Sequence, residues 1–229
     1  MQIFAFPYAG GSEYCYRDLS KQLKNVNFRT QALPGRGSLI SQPCITRIDE
    51  MVDYLFQQIK AELLQPYIFF GHSMGAFIAY MLCQKVRQEG LPRPTALILS
   101  GRKSPSAEVG DLKHKMPATQ FKAMLRDFGG IPDVVSQDEA IMALFEPVIR
   151  ADFELIETYL YQQERVLDVP VHLCIGRDDN ISSEEANAWQ KVTAQPLRLT
   201  YFEGGHFYFK NNESLLAHKI MEVLAVVSG

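Results

Sequence analysis

Residues 67–82 read YIFFGHSMGAFIAYML, and their reading decides the fold. Tyr67 to Phe70 are four bulky β-formers placed directly after Pro66. From Ala76 onward the apolar residues Ala76, Phe77, Tyr80 and Cys83 recur at helical spacing. Between the two patterns stands Gly71-His72-Ser73-Met74-Gly75, a serine between glycines where strand gives way to helix. A serine hydroxyl is a poor nucleophile near neutral pH and needs a base beside it. A sharp strand-to-helix corner holds it, and a Cβ at either glycine would collide with the neighbouring strand or helix. The N–H groups that follow open a helix, so they point to where negative charge develops. G-x-S-x-G in this setting is a nucleophile elbow, which makes Ser73 the candidate nucleophile.

Working outward, strand-like runs fall at residues 2–6, 28–33, 67–70, 95–100, 171–175 and 197–202. Amphipathic patterns lie between them. Ile48, Met51, Val52, Leu55, Ile59 and Leu63 line one helical face, and Leu216, Ile220, Val223, Leu224 and Val227 line another. Alternation of this kind predicts an α/β protein, a mostly parallel sheet flanked by helices. With the elbow, the expectation is an α/β-hydrolase fold. The rhythm breaks from about Pro105 to Gln163, where two helix-like pieces and no strand appear. That is too long for a simple crossover helix and reads as an inserted helical lid. The expected division is a hydrolase core at residues 1–104 and 166–229 with the lid at 105–165. The lid holds more apolar residues than one face against a sheet needs. They either form a small core of their own or line a pocket.

Composition sets the outer bounds. The chain has 229 residues, 47% hydrophobic and 21% charged, enough to bury a sizeable core. A formal net charge of −3 points to neither nucleic acid nor an anionic membrane. No apolar run approaches membrane-spanning length, and the chain opens on QIFAF with no leader pattern, so a cytoplasmic protein is expected. Cys15, Cys44, Cys83 and Cys174 are scattered without a C-x-x-C pair and read as reduced thiols, Cys83 and Cys174 as core residues. No cluster has metal-ligand spacing, and neither metal nor cofactor is expected.

The elbow calls for an acid and a histidine later in the chain. Of five histidines, His172 lies within a strand, His218 in the last helix and His114 in the insertion; His72 points elsewhere on the serine turn. His206 follows a strand in YFEGGHFYF, where Gly204 and Gly205 allow the backbone to aim the imidazole back over the sheet edge. The acid should end the preceding strand, in VHLCIGRDDN. It usually stands three residues after the strand-ending glycine, which selects Asp179 and leaves Asp178 to cap the turn or face solvent. The oxyanion donors expected are the N–H of Met74 and, from FPYAGGS, that of Ala9, with Tyr8 as the alternative. A Gly-Gly loop can also bind an anion, but this one lacks both the Lys-Ser/Thr of a P-loop and the spacing of a dinucleotide fingerprint.

Taken together, the chain resembles the type II thioesterases, the stand-alone editing hydrolases that accompany non-ribosomal peptide and polyketide synthases. The likeness covers nearly the whole chain. It rests on FPYAGGS, LPGRG at 33–37, GHSMGA, SGRKSP, LRDFGGIP, PVIRADFELIETYLYQ, GRDDNIS and GGHFYF. The resemblance implies Ser73, Asp179 and His206 as a triad, Met74 and Ala9 as oxyanion donors, and a mobile lid over an acyl pocket. It implies a substrate carried as a thioester on the phosphopantetheine arm of an acyl- or peptidyl-carrier protein, and a monomer is expected. The chain departs from the family after LPGRG, where SLISQP replaces a charged stretch and leaves open how the loop near Arg36 meets a partner. Carrier proteins of such systems are generally acidic on their recognition helix. Between 102 and 126 this chain has Arg102, Lys103, Lys113, Lys115, Lys122 and Arg126 against Glu108 and Asp111, a docking surface or simply a solvated face. Triad and elbow alone also fit a carboxylesterase or an acyltransferase, and a silent hydrolase fold used for binding is the reading of another class.

Overall fold

A computed structural model describes the chain apart from residues 108, 109, 111, 131–137, 163, 211 and 229. The strands alternate their side chains between two cores. Phe4, Phe6, Phe69, Leu97 and Leu99 face one side, and Ile3, Ala5, Ile68, Phe70 and Ile98 face the other. All six expected strands form: β1 (Gln2–Phe6), β2 (Asn27–Thr30), β3 (Tyr67–His72), β4 (Ala96–Ser100), β5 (Val171–Gly176) and β6 (Arg198–Phe202). They stand in the order β2-β1-β3-β4-β5-β6, and every described pair is parallel. β2 is shorter than its apolar run suggests. Gln31 still donates to the Ala5 carbonyl, but the chain then turns at Gly35, whose φ is 85°. β3 runs further than expected, because Gly71 and His72 keep register with Leu99 and Ser100.

Helices cover both faces. α1 (Arg17–Gln22) and the C-terminal α7 (Glu213–Ser228) pack on one; α2 (Ile48–Ile59) and α3 (Met74–Gln88) pack on the other. α3 lies between the sheet and α2, which is why it is apolar almost all round rather than along one stripe. A short α6 (Ser183–Asn187), closed by a Ser182/Glu185 capping box, follows β5. Cys83 and Cys174 are buried, and all four cysteines are free. Among the described residues no helix is long and apolar enough to cross a membrane.

The segment between β4 and β5 carries, where described, the helices α4 (Ala118–Asp127) and α5 (Glu139–Glu157) and no strand of the sheet. Asp138 caps α5 by accepting from the N–H groups of Ala140 and Ile141. Both readings of its apolar residues hold. Phe121, Leu125, Met142 and Ile149 form a separate small core, while Phe145, Phe153 and Ile156 line a cavity. Leu144 and Leu160 do neither and are exposed. Ile131 and Pro132 of LRDFGGIP, Ser136, Gln137 and Gln163 of the second helical piece, and Glu108 and Asp111 lie outside the described residues.

The strand order reverses beside β1, whose sequence neighbours β2 and β3 lie on its opposite sides. Ligands of open parallel sheets bind beyond the carboxyl ends of the strands at such a point. The carboxyl ends of β1 and β3 carry FPYAGGS and GHSMG.

Candidate active site

Ser73 adopts φ 53° and ψ −115°, a strained conformation for a residue with a Cβ. Its neighbours hold it there. A Cβ on Gly71 would overlap the backbone of Gly75 and Ala76, and one on Gly75 would overlap the Phe6 carbonyl at the end of β1. The two glycines therefore let helix α3 start directly against two strands. The Ser73 N–H donates to the Ser100 carbonyl of β4 at 2.7 Å, which ties the corner to the next strand.

Asp179 and His206 meet on the other side. His206 Nδ1 lies 2.9 Å from Asp179 Oδ2, with the Asp179 carboxylate nearly enclosed. Backbone bonds hold the two loops together: Arg177 N–H to the Phe202 carbonyl at 2.8 Å and Asp178 N–H to the Gly204 carbonyl at 3.0 Å. Gly176 is essential to that approach, since a Cβ there would overlap the Gly204 and Gly205 carbonyls. Asp178, the competing acid, is exposed. Ser73, Asp179, His206, Tyr8 and Ala9 all line one cavity of about 1160 Å³. Among the described residues, the N–H groups of Tyr8, Ala9 and Met74 have no protein acceptor. They are available to an incoming oxygen.

Three features were not legible beforehand. The first is His72. Its ring does not point away but lies fully buried under the site, 4.7 Å from the His206 ring centre. Its Nδ1 pairs with Ser100 Oγ at 2.9 Å, and Ser100 Oγ with the Tyr208 hydroxyl at 2.8 Å. Burial, and then the charges of His206 and Lys210, push the His72 imidazole well below the usual histidine range, so it is neutral. Gly101, at φ 57°, makes room for both rings, because a Cβ there would overlap the His72 ring.

The second is a buried ion pair. Arg36 of LPGRG grips Asp152 of RADF through both terminal nitrogens, Nη2 to Oδ1 at 2.7 Å and Nη1 to Oδ2 closer still. Asp152 Oδ2 also accepts the Gly10 N–H at 2.7 Å. Arg36 therefore faces inward rather than toward a partner, and it joins α5 to the loop that carries Ala9. The signal was present as opposite charges inside two otherwise unexplained motifs. The pairing itself spans 116 positions and has no sequence period.

The third closes the site from above. Lys210 Nζ donates to the Gly130 carbonyl at 2.7 Å and sits 4.2 Å from the Phe207 ring centre. Phe128, at the end of α4, meets the His206 ring edge-on at 5.3 Å. Below it, Phe77, Ile149, Phe153, Ile156 and Tyr159 give the cavity an apolar wall. Among the described residues no group of three His, Cys, Asp or Glu could hold a metal ion.

The thioesterase domain family matches residues 1–222. The chain belongs to that family. The thioesterase is a thioester hydrolase of the α/β-hydrolase fold, like its relatives from synthase pathways. It superposes on ClbQ from the colibactin NRPS/PKS pathway with a TM-score of 0.92 at 29% identity, covering 99% of this chain and 98% of that one. It superposes on the type II thioesterase BorB from the borrelidin biosynthetic cluster with a TM-score of 0.87 at 33% identity, covering 97% and 92%. It is also 32% identical over 222 residues to a Brevibacillus parabrevis protein named linear gramicidin dehydrogenase LgrE, covering 94% of this chain and 84% of that one. No hydride chemistry follows for the thioesterase, whose loop after β1 reads FPYAGGS and lacks the dinucleotide spacing.

Proposed function

We propose that the thioesterase strips acyl or peptidyl groups from the phosphopantetheine arm of carrier proteins in a peptide or polyketide assembly line, as a cytoplasmic editing or off-loading enzyme. The observation that carries this reading is the convergence of Ser73, His206 and Asp179 on one apolar-walled cavity, beneath helices joined to the core by the Arg36–Asp152 pair. The relatives' association with synthase pathways supports the carrier-bound substrate.

His206 takes the Ser73 proton as Ser73 Oγ attacks the thioester carbonyl. Asp179 holds the His206 tautomer and stabilises the imidazolium without taking the proton. The N–H groups of Met74 and Ala9 receive the oxyanion, with Tyr8 as the alternative second donor. The pantetheine thiol leaves with the proton from His206, and water activated by His206 then hydrolyses the acyl-enzyme. Residues 105–165 act as a lid, and Lys210–Gly130 and Phe128–His206 are the contacts that opening would break. No resident cofactor is required.

Mass spectrometry of carrier proteins loaded with different acyl groups tests the reading. Stripping by the wild type and none by Ser73→Ala is expected. Turnover of a simple aryl ester with carrier thioesters left intact would favour a carboxylesterase, and transfer to an added amine an acyltransferase.

A further inference from the structure

Arg102 follows Gly101 directly off the end of β4, at a point where the backbone already touches the His72 and His206 rings. Its carbonyl is held by Nε1–H of the buried Trp189 at 2.8 Å. Its guanidinium lies 5.3 Å from the ring centre of Phe77, which stands four residues after Ser73 on α3. Arg102, Phe77 and Ser73 line the same cavity.

The guanidinium has no hydrogen-bond acceptor among the described residues. Among the described residues it makes no ion pair and no side-chain hydrogen bond, and Nε is enclosed without a partner. The residue as a whole is half-buried and lines the cavity. Among the described residues Glu157 is the one carboxylate whose charge acts on Arg102, and both its oxygens already accept hydrogen bonds. They accept the N–H of Lys113 at 3.0 Å, the N–H of His114 at 3.0 Å and His114 Nδ1 at 2.7 Å. Burial pulls the guanidinium down to about 10, yet it keeps its proton at neutral pH. Arg102 is half-buried, and a cation partly withdrawn from water without a counter-charge is penalised, a cost that the Phe77 face offsets in part.

We infer that Arg102 is a specificity-determining residue that receives a carboxylate on the acyl group of the substrate. The inference rests on the thioesterase reading above and names the substrate class. A guanidinium presents a planar fork that matches a carboxylate in two parallel hydrogen bonds. With its carbonyl at Ser73, a dicarboxylic acyl group in this cavity would turn its far carboxylate toward Arg102.

Two measurements test this. Hydrolysis of succinyl-pantetheine is compared with that of its neutral methyl ester, which fills the same space, in wild type, Arg102→Met and Arg102→Lys. The wild type should favour the acid by about 10- to 100-fold in kcat/KM, the range expected for a charge-assisted hydrogen bond. Arg102→Met should abolish or invert the preference while hydrolysing the ester within about threefold of wild type, and Arg102→Lys should keep part of it. Binding of the non-hydrolysable succinyl-pantetheine amide and its methyl ester is measured by calorimetry on the same proteins. The acid should bind at least about tenfold tighter to wild type only. No preference for the acid in wild-type binding would overturn the inference, whether or not the protein hydrolyses anything. An equal loss on both ligands in Arg102→Met would make Arg102 a packing residue. If the acid binds preferentially but no thioester is cleaved, the thioesterase mechanism fails and the carboxylate site stands.

Discussion

Arg36 and Arg102 are both drawn into the protein near the loops that carry the reaction, and the protein treats them in opposite ways. Arg36 meets a fully buried carboxylate in a bidentate pair whose second oxygen also steadies Gly10. Arg102 meets an aromatic face and an open cavity. A buried ion pair adds little net stability, because desolvation offsets the attraction, but it fixes geometry. Here the geometry fixed is that of the loop bearing Ala9. A half-buried cation left open fixes nothing until a ligand arrives. The first arginine belongs to the scaffold of the site and the second to its cargo. The triad acid belongs with the first group, since Asp179 is enclosed and committed to His206.

The largest expected effects come from breaking committed partners at the reaction centre. Ser73→Ala should leave only about 10³–10⁴-fold catalysis over water, from the oxyanion hole and binding. Asp179→Asn should lower kcat by about 10²–10⁴-fold, whereas Asp178→Asn, which changes an exposed side chain, should leave it nearly unchanged. Steady-state kinetics on an acyl-pantetheine ranks the two, and the reverse ranking would exchange their roles.

Next comes the contrast between the arginines themselves. Asp152→Ala turns Arg36 into an unpartnered buried cation and should lower stability by about 3–5 kcal/mol. Arg102→Met removes a half-buried charge that meets no carboxylate among the described residues and should change stability by less than about 1 kcal/mol. Urea denaturation of both variants decides. Similar losses would erase the distinction between scaffold and cargo.

Histidines repeat the contrast at smaller scale. His206 and His114 face carboxylates, whereas both ring nitrogens of His172 and the Nε2 of His72 are enclosed without partners. Burial, followed by the charges of Arg198 and Lys219, lowers His172 to about 4, and burial likewise holds His72 well below the usual histidine range. Each binds its proton more readily in the unfolded chain, where histidine titrates near 6.5. Their neutral form is therefore fully stabilising above about pH 6.5, and stability is lost as pH falls toward 4, by at most about 1.4 kcal/mol per pH unit for each. Thermal unfolding of His172→Phe across this window should show a shallower acid slope than wild type. An unchanged slope would mean that His172 does not contribute.

The smallest effect concerns charges that stay in water. Of the basic residues between 102 and 126, Arg102 is internal, Lys103 pairs with Glu185 at 2.5 Å, and Lys113 lies 4.0 Å from Glu157. Reversing Lys113, Lys115 and Lys122 to Glu should raise KM for an acyl-carrier protein a few-fold at low salt and leave a short acyl-pantetheine unaffected. Equal effects on both substrates, or none under added salt, would place the docking surface elsewhere.

How much of this was legible follows from the range of each interaction. Gly71, Ser73 and Gly75 announce the elbow because their roles are played out within five residues. Asp179 and His206 could be found because each stands on the loop just after a strand, and strands are read from local alternation. His72 could not be placed, because which ring lies beneath the His206 imidazole depends on Gly101 and Ser100 from a different strand. Gly176 looked like an ordinary strand end until the carbonyls of Gly204 and Gly205 were seen against it.

By itself, the amino-acid sequence determined the alternation of strands and helices, the parallel sheet, the serine corner and the Asp179 and His206 that the fold pairs. Hydrophobic period and backbone freedom are local properties and survive in one dimension. Tertiary structure alone decided that Arg36 is spent on Asp152, that Glu157 is spent on Lys113 and His114, and that Arg102 is left facing the cavity. Whether a buried charge is satisfied depends on which distant groups the fold carries to within about 4 Å of it, and no residue spacing encodes that.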